Sequence, residues 1–514
     1  MKHHAWLALA LLACGRIDED PQPDAAVTTT TESSAITTTV VIDSGPLVGY
    51  STGDLVVFKG IPYVAPPLGA LRFAPPAPAP TWTWPRWAIF NPPMCPQSSS
   101  SGPVGSEDCL TINVWTHPDA VHRPVLFFVH GGAGISGSHY DSAALARATG
   151  AVVVTVQYRL GTLGHLALPE LDATGGGNFA LLDQQAALRW VQRNIAAFGG
   201  DATHVLLFGE SAGGFYTCTH TIAPESRGLF ASALSESGQC TDLPDRATQY
   251  AKWQADVVTT VGCNSGDRIA CLRAVTPAQL VTGLKQSLSG PVVDGSHVPL
   301  HAIDAWRTGA FAHVPLVVGT NNDEANLWLL LYAVNYWWLD GYVNSQAGYT
   351  TVVQILFPAQ ASLLLAMYPY ASYGSGFAAL DAMLTDIGLS CPVRGWARAV
   401  AAGGGTVWQF EFTDSLAGGY SFLGTPHALE LVWVFSLWSW IPGYVPTAAQ
   451  LDLSAYMQGV WLDLAGSGSV PDDWPLAGAS ESHYELGPAR GARTTFRGGR
   501  CDALVGAGLV TPSM

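Results

Sequence analysis

Ser211 lies in Gly209-Glu210-Ser211-Ala212-Gly213, directly after the apolar run Val205-Leu206-Leu207-Phe208. A strand running into a G-x-S-x-G turn lifts the serine hydroxyl above the sheet. The glycines two before and two after the serine leave room for that sharp turn. A serine presented this way is a nucleophile in need of a base. The pentapeptide alone is common in unrelated chains, so its weight depends on its company. A second segment, His130-Gly131-Gly132-Ala133-Gly134, follows the strand-like residues 125–129. Small residues there let adjacent backbone N–H groups converge on one spot. Acyl transfer needs such donors where a tetrahedral oxygen develops negative charge. The N–H of Ala212, opening the helix after Ser211, would add another donor.

Where a strand, a serine turn and a helix hold the nucleophile, an acid and then a histidine follow in the chain. The strand-like residues 314–318 end in Gly319-Thr320-Asn321-Asn322-Asp323-Glu324. Either Asp323 or Glu324 could supply the acid on composition alone. The next histidine is His427, on the Gly/Pro loop Gly424-Thr425-Pro426-His427-Ala428-Leu429-Glu430. The only later one is His483, in a polar stretch.

The elements that must position these residues are legible as periodicity. Strands are expected at 55–59, 110–115, 125–129, 152–157 and 205–208. Residues 179–197 carry Leu181, Leu182, Leu188, Val191 and Ile195 at helical spacing and end at Phe198-Gly199-Gly200-Asp201. Strands alternating with helices predict a mostly parallel sheet covered on both faces. The chain has 514 residues, 48% hydrophobic and only 12% charged, enough for one large α/β domain. Its net charge of −16 argues against a nucleic-acid partner. No internal stretch reads as a membrane span. Residues 327–339, including Trp328 and Trp338, are apolar but short, and read as core or pocket lining.

Met1-Lys2-His3-His4 and the apolar residues 5–13 read as a secretory signal ending in Leu11-Leu12-Ala13-Cys14. That end resembles a bacterial lipobox, which implies lipidation of Cys14. An ordinary signal cut further on, or a mis-assigned start, is the plainer reading. Residues 14–40, rich in Asp, Pro and Thr, read as a disordered tether, and 41–514 as the folded domain.

The ordered motifs from about residue 41 to 504 resemble a type-B carboxylesterase, the family of the cholinesterases and the non-enzymatic neuroligins. Those motifs are Phe58-Lys59-Gly60-Ile61-Pro62-Tyr63, Pro66-Pro67-Leu68-Gly69, Leu71-Arg72-Phe73, Ser106-Glu107-Asp108-Cys109-Leu110 and Tyr158-Arg159-Leu160-Gly161. Asn194-Ile195, Phe198-Gly199-Gly200-Asp201 and the serine turn complete them. The resemblance implies an α/β-hydrolase fold: a central, mostly parallel β-sheet flanked by helices, with long loop and helical insertions. It implies Ser211 as nucleophile, Glu324 as acid and His427 as base. Gly132, Ala133 and Ala212 would be the oxyanion donors, and Ser237 a serine supporting the triad. Arg72 with Glu107, and Arg159 with Asp183, match structural ion pairs. Ala133 and Gly134 stand where the family often has Gly then Phe, and His165 replaces a usual Phe.

The family further suggests disulfides Cys95–Cys109, Cys263–Cys271 and Cys391–Cys501. Cys218 and Cys240 remain, either as a fourth pair or as buried thiols. The implied activity is hydrolysis of small to medium carboxylic esters through an acyl-enzyme, with no metal or organic cofactor. The alternatives are a catalytically silent, neuroligin-like binding protein, which typically lacks the nucleophile, and an acyltransferase. Residues 96–108 hold no aromatic residue where cholinesterases place a tryptophan, which disfavours choline esters. The signal implies an exported protein: a bacterial cell-envelope lipoprotein, or otherwise a periplasmic or secreted one. Membrane contact would come only through a lipid on Cys14, and the sequence leaves the oligomeric state open.

Overall fold

Leu206 and Phe208 face one side of the central sheet, and Val205 and Leu207 the other. The same alternation runs through Val125 to Val129 and Leu316 to Val318. Period-two side chains that are apolar on both faces belong to strands buried from both sides. The computed structural model describes residues 37–282, 290–335, 343–478 and 480–511.

The strands in chain order are β1 (Thr37–Ile42), β2 (Gly45–Ser51), β3 (Val56–Pro62), β4 (Arg86–Trp87), β5 (Gln97–Ser99), β6 (Gly102–Val104), β7 (Thr111–Thr116) and β8 (Arg123–Val129). β9 (Val152–Val156), β10 (Gly200–Glu210), β11 (Ser232–Glu236), β12 (Leu316–Asn321), β13 (Val407–Phe412), β14 (His483–Leu486) and β15 (Gly491–Arg493) follow. Thirteen of them form one sheet in the order β1-β2-β3-β7-β9-β8-β10-β11-β12-β13-β14-β15, with β4 beside β2. The run from β9 to β14 is parallel throughout, and the pairs toward both ends of the sheet are antiparallel, except β2 with β4. β5 and β6 make a separate hairpin.

Helices Phe179–Asn194, Ala212–Ile222 and Cys391–Ala402 cover one face, and Ala448–Ser467 covers the other. The helix expected at 179–197 ends at Asn194 and tightens into a single 3-10 turn, Ile195–Phe198. β1 starts at Thr37, four residues before the expected boundary at 41. Thr37-Thr38-Thr39-Val40 reads as polar, yet its β-branched side chains suit an edge strand with one exposed face. Among the described residues one helical run, Gly376–Ala402, is long and apolar enough to cross a membrane by length and composition. Sequence reading overlooked it, and 61% of its apolar window is buried inside the fold. Residues 1–36, with Cys14, lie outside the described residues, as do Trp337 and Trp338 of the aromatic stretch.

Four disulfides join Cys95 to Cys109, Cys218 to Cys240, Cys263 to Cys271 and Cys391 to Cys501. Such cross-links belong to proteins that fold in an oxidising compartment. Arg72 is paired with Glu107 and also donates to the Leu272, Arg273 and Val275 carbonyls. Arg159 binds Asp183 through two N–H groups at 2.7 Å each. Both pairs are buried and brace loops to the scaffold.

Candidate active site

Ser211 connects β10 to the helix Ala212–Ile222 with φ 56° and ψ −119°. A serine gains nothing from positive φ by itself, so the neighbouring structure must impose it. It does so by close approach. A Cβ on Gly213 would sit 1.9 Å from the Val129 carbonyl, and one on Gly209 would sit 2.6 Å from Gly213. The Ser211 N–H donates to the Glu236 carbonyl at 2.9 Å, which ties the turn to the end of β11. Eight described non-glycine residues have positive φ, and four of them, Ala133, Ser211, Ser237 and Ala428, lie in these loops. Strain is concentrated where the chemistry would be.

The loop after β8 lies against this turn. A Cβ on Gly131 would meet Glu210 Oε2 at 2.6 Å and Ser211 Cβ at 3.0 Å. Gly132 has φ 108° and Ala133 φ 58°. Carbonyl oxygens in this loop are used: Gly132 O accepts from Ile135 and Ser136, and Gly134 O from Gly161. The Gly132 and Ala133 N–H groups donate to no acceptor among the described residues. The N–H of Ala212 is the first of its helix and has no intrahelical acceptor. Gln97 Oε1, on β5, accepts from the Gly137 N–H at 2.9 Å and holds the loop from the far side.

Glu324 follows β12 and His427 lies on the loop before the short helix Leu431–Val434. His427 Nδ1 and Glu324 Oε2 are 2.6 Å apart. Glu324 Oε1 accepts from Ser237 Oγ at 2.5 Å and from the Asn321 N–H at 2.7 Å. Of the two neighbouring carboxylates, Glu324 is the one that meets His427. Asp323 points the other way: its Oδ2 accepts from the Thr425 N–H at 2.8 Å, so it holds the histidine loop rather than the ring. His483 faces Glu411, 3.7 Å away.

His427 Nε2 has no hydrogen-bond partner among the described residues, so none joins it to Ser211. It lies 3.1 Å from Glu210 Oε1. Sequence reading gave Glu210 no role, although it is the variable residue of the serine turn. Glu210, Glu236, Glu324 and Glu430 are all fully buried here. Glu430 accepts from Asn321 Nδ2, which also donates to the Pro426 carbonyl at 2.8 Å. Burial pushes the Glu210 carboxyl well above the usual range, and the Glu430 and Glu324 charges push it further. Burial does the same to Glu236, and raises Glu430 to about 7. Burial pulls His427 down, but the Glu210 and Glu324 carboxylates outweigh it and push the imidazole up to about 9. The site takes up a proton as a coupled group rather than as an isolated imidazole.

Trp328, 39% exposed, lies against His427 with ring centroids 4.7 Å apart. Beside the Gly134 loop, Ile135, Leu160, Leu163 and Leu280 line a small cleft together with Ser98 and Thr162. A serine on a strained turn, amides with free N–H groups and an imidazole held by a carboxylate can together carry out acyl transfer.

A mostly parallel sheet with the serine turn at the carboxyl end of one strand, and Glu324 and His427 on loops after later strands, fits the α/β-hydrolase fold. Residues 36–502 match the model of the carboxylesterase family. A mouse acylcarnitine hydrolase is 33% identical, covering 84% of this chain and 82% of its own. A rat pyrethroid hydrolase, Ces2e, is 32% identical over 84% and 81%. Carboxylesterase 3 of Pongo abelii is 31% identical over 96% and 92%. The chain belongs to the carboxylesterase family, and it is a carboxylic ester hydrolase.

Proposed function

We propose that Ser211, His427 and Glu324 form the catalytic triad, with Gly132, Ala133 and Ala212 as the oxyanion donors. The observation that carries this reading is the His427–Glu324 contact of 2.6 Å beside a serine held at φ 56°. Ser211 Oγ attacks the ester carbonyl while His427 Nε2 takes its proton. Glu324 fixes the ring with Nδ1 protonated and stabilises the imidazolium. Charge on the tetrahedral oxygen is met by the three amides, each contributing about 3–4 kcal/mol to the transition state. His427 then protonates the departing alcohol. An acyl-enzyme remains on Ser211, and water activated by His427 releases the acid. Ser237 acts as a positioning residue through Glu324.

The substrates are small to medium carboxylic esters. Trp328 beside His427 favours apolar acyl or alcohol groups. Relatives named for acylcarnitines and pyrethroids support breadth in the alcohol part. The chain divides into an export signal at 1–13, a tether from Cys14, and one catalytic domain from Thr37 onward. Export as a lipoprotein acylated on Cys14 fits the Leu11-Leu12-Ala13-Cys14 sequence and the four disulfides.

The test is hydrolysis of p-nitrophenyl esters of increasing acyl length by wild type and Ser211→Ala. The substitution is expected to lower kcat at least about 10^4-fold with the fold intact. Retained activity in Ser211→Ala would remove the serine mechanism. The chain-length optimum sizes the acyl pocket.

A further inference from the structure

His165, which stands where the family usually has Phe, is buried, and both of its ring nitrogens are engaged. Nδ1 lies 3.0 Å from the Gly161 carbonyl, which can only accept, so Nδ1 carries the proton. Burial pulls the imidazole down to about 4, so the ring is neutral at pH 7. Nε2 is then a bare acceptor, and the Tyr216 hydroxyl donates to it. A phenylalanine at 165 makes neither bond.

The two bonds join separate parts of the site. The Gly161 N–H donates to the Gly134 carbonyl at 2.7 Å, at the far end of the loop that carries Gly132 and Ala133. Tyr216 lies on the helix that starts at Ala212. It also meets Tyr158 edge-on, with ring centroids 5.3 Å apart. The Tyr158 hydroxyl donates to the His130 carbonyl at 2.7 Å, at the near end of the same loop. Both ends of the loop 130–134 are thus held by residues that bear on Tyr216, and His165 accepts the Tyr216 hydrogen bond. His130, Tyr158, His165 and Tyr216 are all buried, so a bond lost here leaves a polar group out of reach of bulk water.

We propose that His165 is a positioning residue for ester hydrolysis: through Gly161 and Tyr216 it fixes the loop carrying the Gly132 and Ala133 N–H groups relative to the helix that supplies the Ala212 N–H. The proposal rests on the reading of these three amides as the oxyanion donors. They come from two pieces of chain, and they meet one developing charge only while the two pieces keep a fixed spacing. With both nitrogens engaged, His165 takes no part in proton transfer and acts only through the loop and the helix. Its effect therefore falls on the transition state rather than on ester binding.

The test compares wild type, His165→Phe, Tyr216→Phe and the double variant on p-nitrophenyl acetate and with an aryl trifluoromethyl ketone. Ser211 Oγ adds to the ketone carbonyl, its proton passes to His427, and the carbonyl oxygen becomes the bound oxyanion. His165→Phe strands the Tyr216 hydroxyl and is expected to lower Tm. It should also lower kcat about 10- to 100-fold with KM near wild type, and weaken ketone binding by a similar factor. In the double variant the stranded hydroxyl is gone, so Tm should return toward wild type. Its kcat should stay low, because the bridge is still missing. Tyr216→Phe keeps the bond to Gly161 and should fall between wild type and His165→Phe; it carries the test if His165→Phe does not fold. A kcat that recovers together with Tm in the double variant, or wild-type ketone affinity in all three variants, would make His165 scaffold alone and overturn the proposal. Failure of the donor reading is seen in wild type instead, as a ketone bound no more tightly than its methyl analogue.

Discussion

Glu210 Oε1 lies 3.1 Å from Nε2 of His427, on the opposite side of the imidazole from Glu324. The ring is thus placed between two buried carboxyls. With the imidazole pushed up to about 9, the base becomes neutral only in the alkaline range. kcat/KM is therefore expected to rise with pH through that region, rather than near the ordinary imidazole value of about 6.5. Glu210→Gln removes one of the two charges and should move the midpoint of the rise downward. A pH–rate profile of both proteins decides it, and an unmoved midpoint would contradict the coupling. The same shift has a sign in stability. A histidine whose folded value is raised stabilises the fold fully below about 6.5, and that contribution is lost as pH rises through about 9.

Ser237 is expected to matter through Glu324 alone. Its hydroxyl donates to the carboxylate at 2.5 Å, and the Asn321 N–H supplies a second donor at 2.7 Å. Ser237→Ala leaves the second donor in place. A hydrogen bond to a charged group contributes about 1.5–3 kcal/mol, so kcat should fall about tenfold or more. KM should stay near wild type, because Ser237 contacts Glu324 and not the ester. Steady-state kinetics separate the two parameters, and a change confined to KM would argue against positioning.

How far the site could be read from sequence follows from how local each signal is. The serine turn was legible because its strand, its glycines and its helix are contiguous. His427 comes 216 residues after Ser211, and no local pattern joins them. The family motifs selected it. Asp323 and Glu324 could not be separated by composition, because the turn after β12 alone decides which carboxylate meets Ser237 and which meets Thr425. The pairing of Glu210 with His427 was invisible for a similar reason. A glutamate inside a glycine-rich turn reads as solvated until β8 and the His427 loop close over it. The first strand was missed because a run of threonines reads as a linker, although β-branching suits an edge.

Ala133 and Gly132 make opposite predictions at adjacent positions. Ala133 holds φ 58°, a conformation that costs a non-glycine residue about 1 kcal/mol or more. Ala133→Gly removes that cost and keeps the N–H, so activity should be retained and Tm should not fall. Gly132 has φ 108°, and a Cβ there would sit 2.3 Å from the Ser136 carbonyl. Gly132→Ala should displace the loop and with it the neighbouring amides. Loss of one oxyanion donor alone is worth about 10^2–10^3 in kcat. Parallel measurements of kcat and Tm check both, and equal losses in the two variants would speak against these amides as donors.

Cys218 lies on the helix that begins at Ala212, and Cys240 lies three residues beyond Ser237. Their disulfide ties the helix after Ser211 to the loop that carries Ser237. The sequence separation of 22 residues predicts about 3 kcal/mol of stabilisation from the unfolded chain, against nearly 5 kcal/mol for the 110 residues between Cys391 and Cys501. Replacing Cys218 and Cys240 together by alanine should therefore lower stability less than replacing Cys391 and Cys501. It should nevertheless cost more activity per degree of Tm lost, since Gly238, between Ser237 and Cys240, packs against the backbone of Ser211 and Gly214. Thermal melts and kcat measured well below Tm for both double variants test this. If the Cys218 and Cys240 variant lost stability but kept wild-type kcat, the disulfide would act on the unfolded chain alone and not on the placement of the serine.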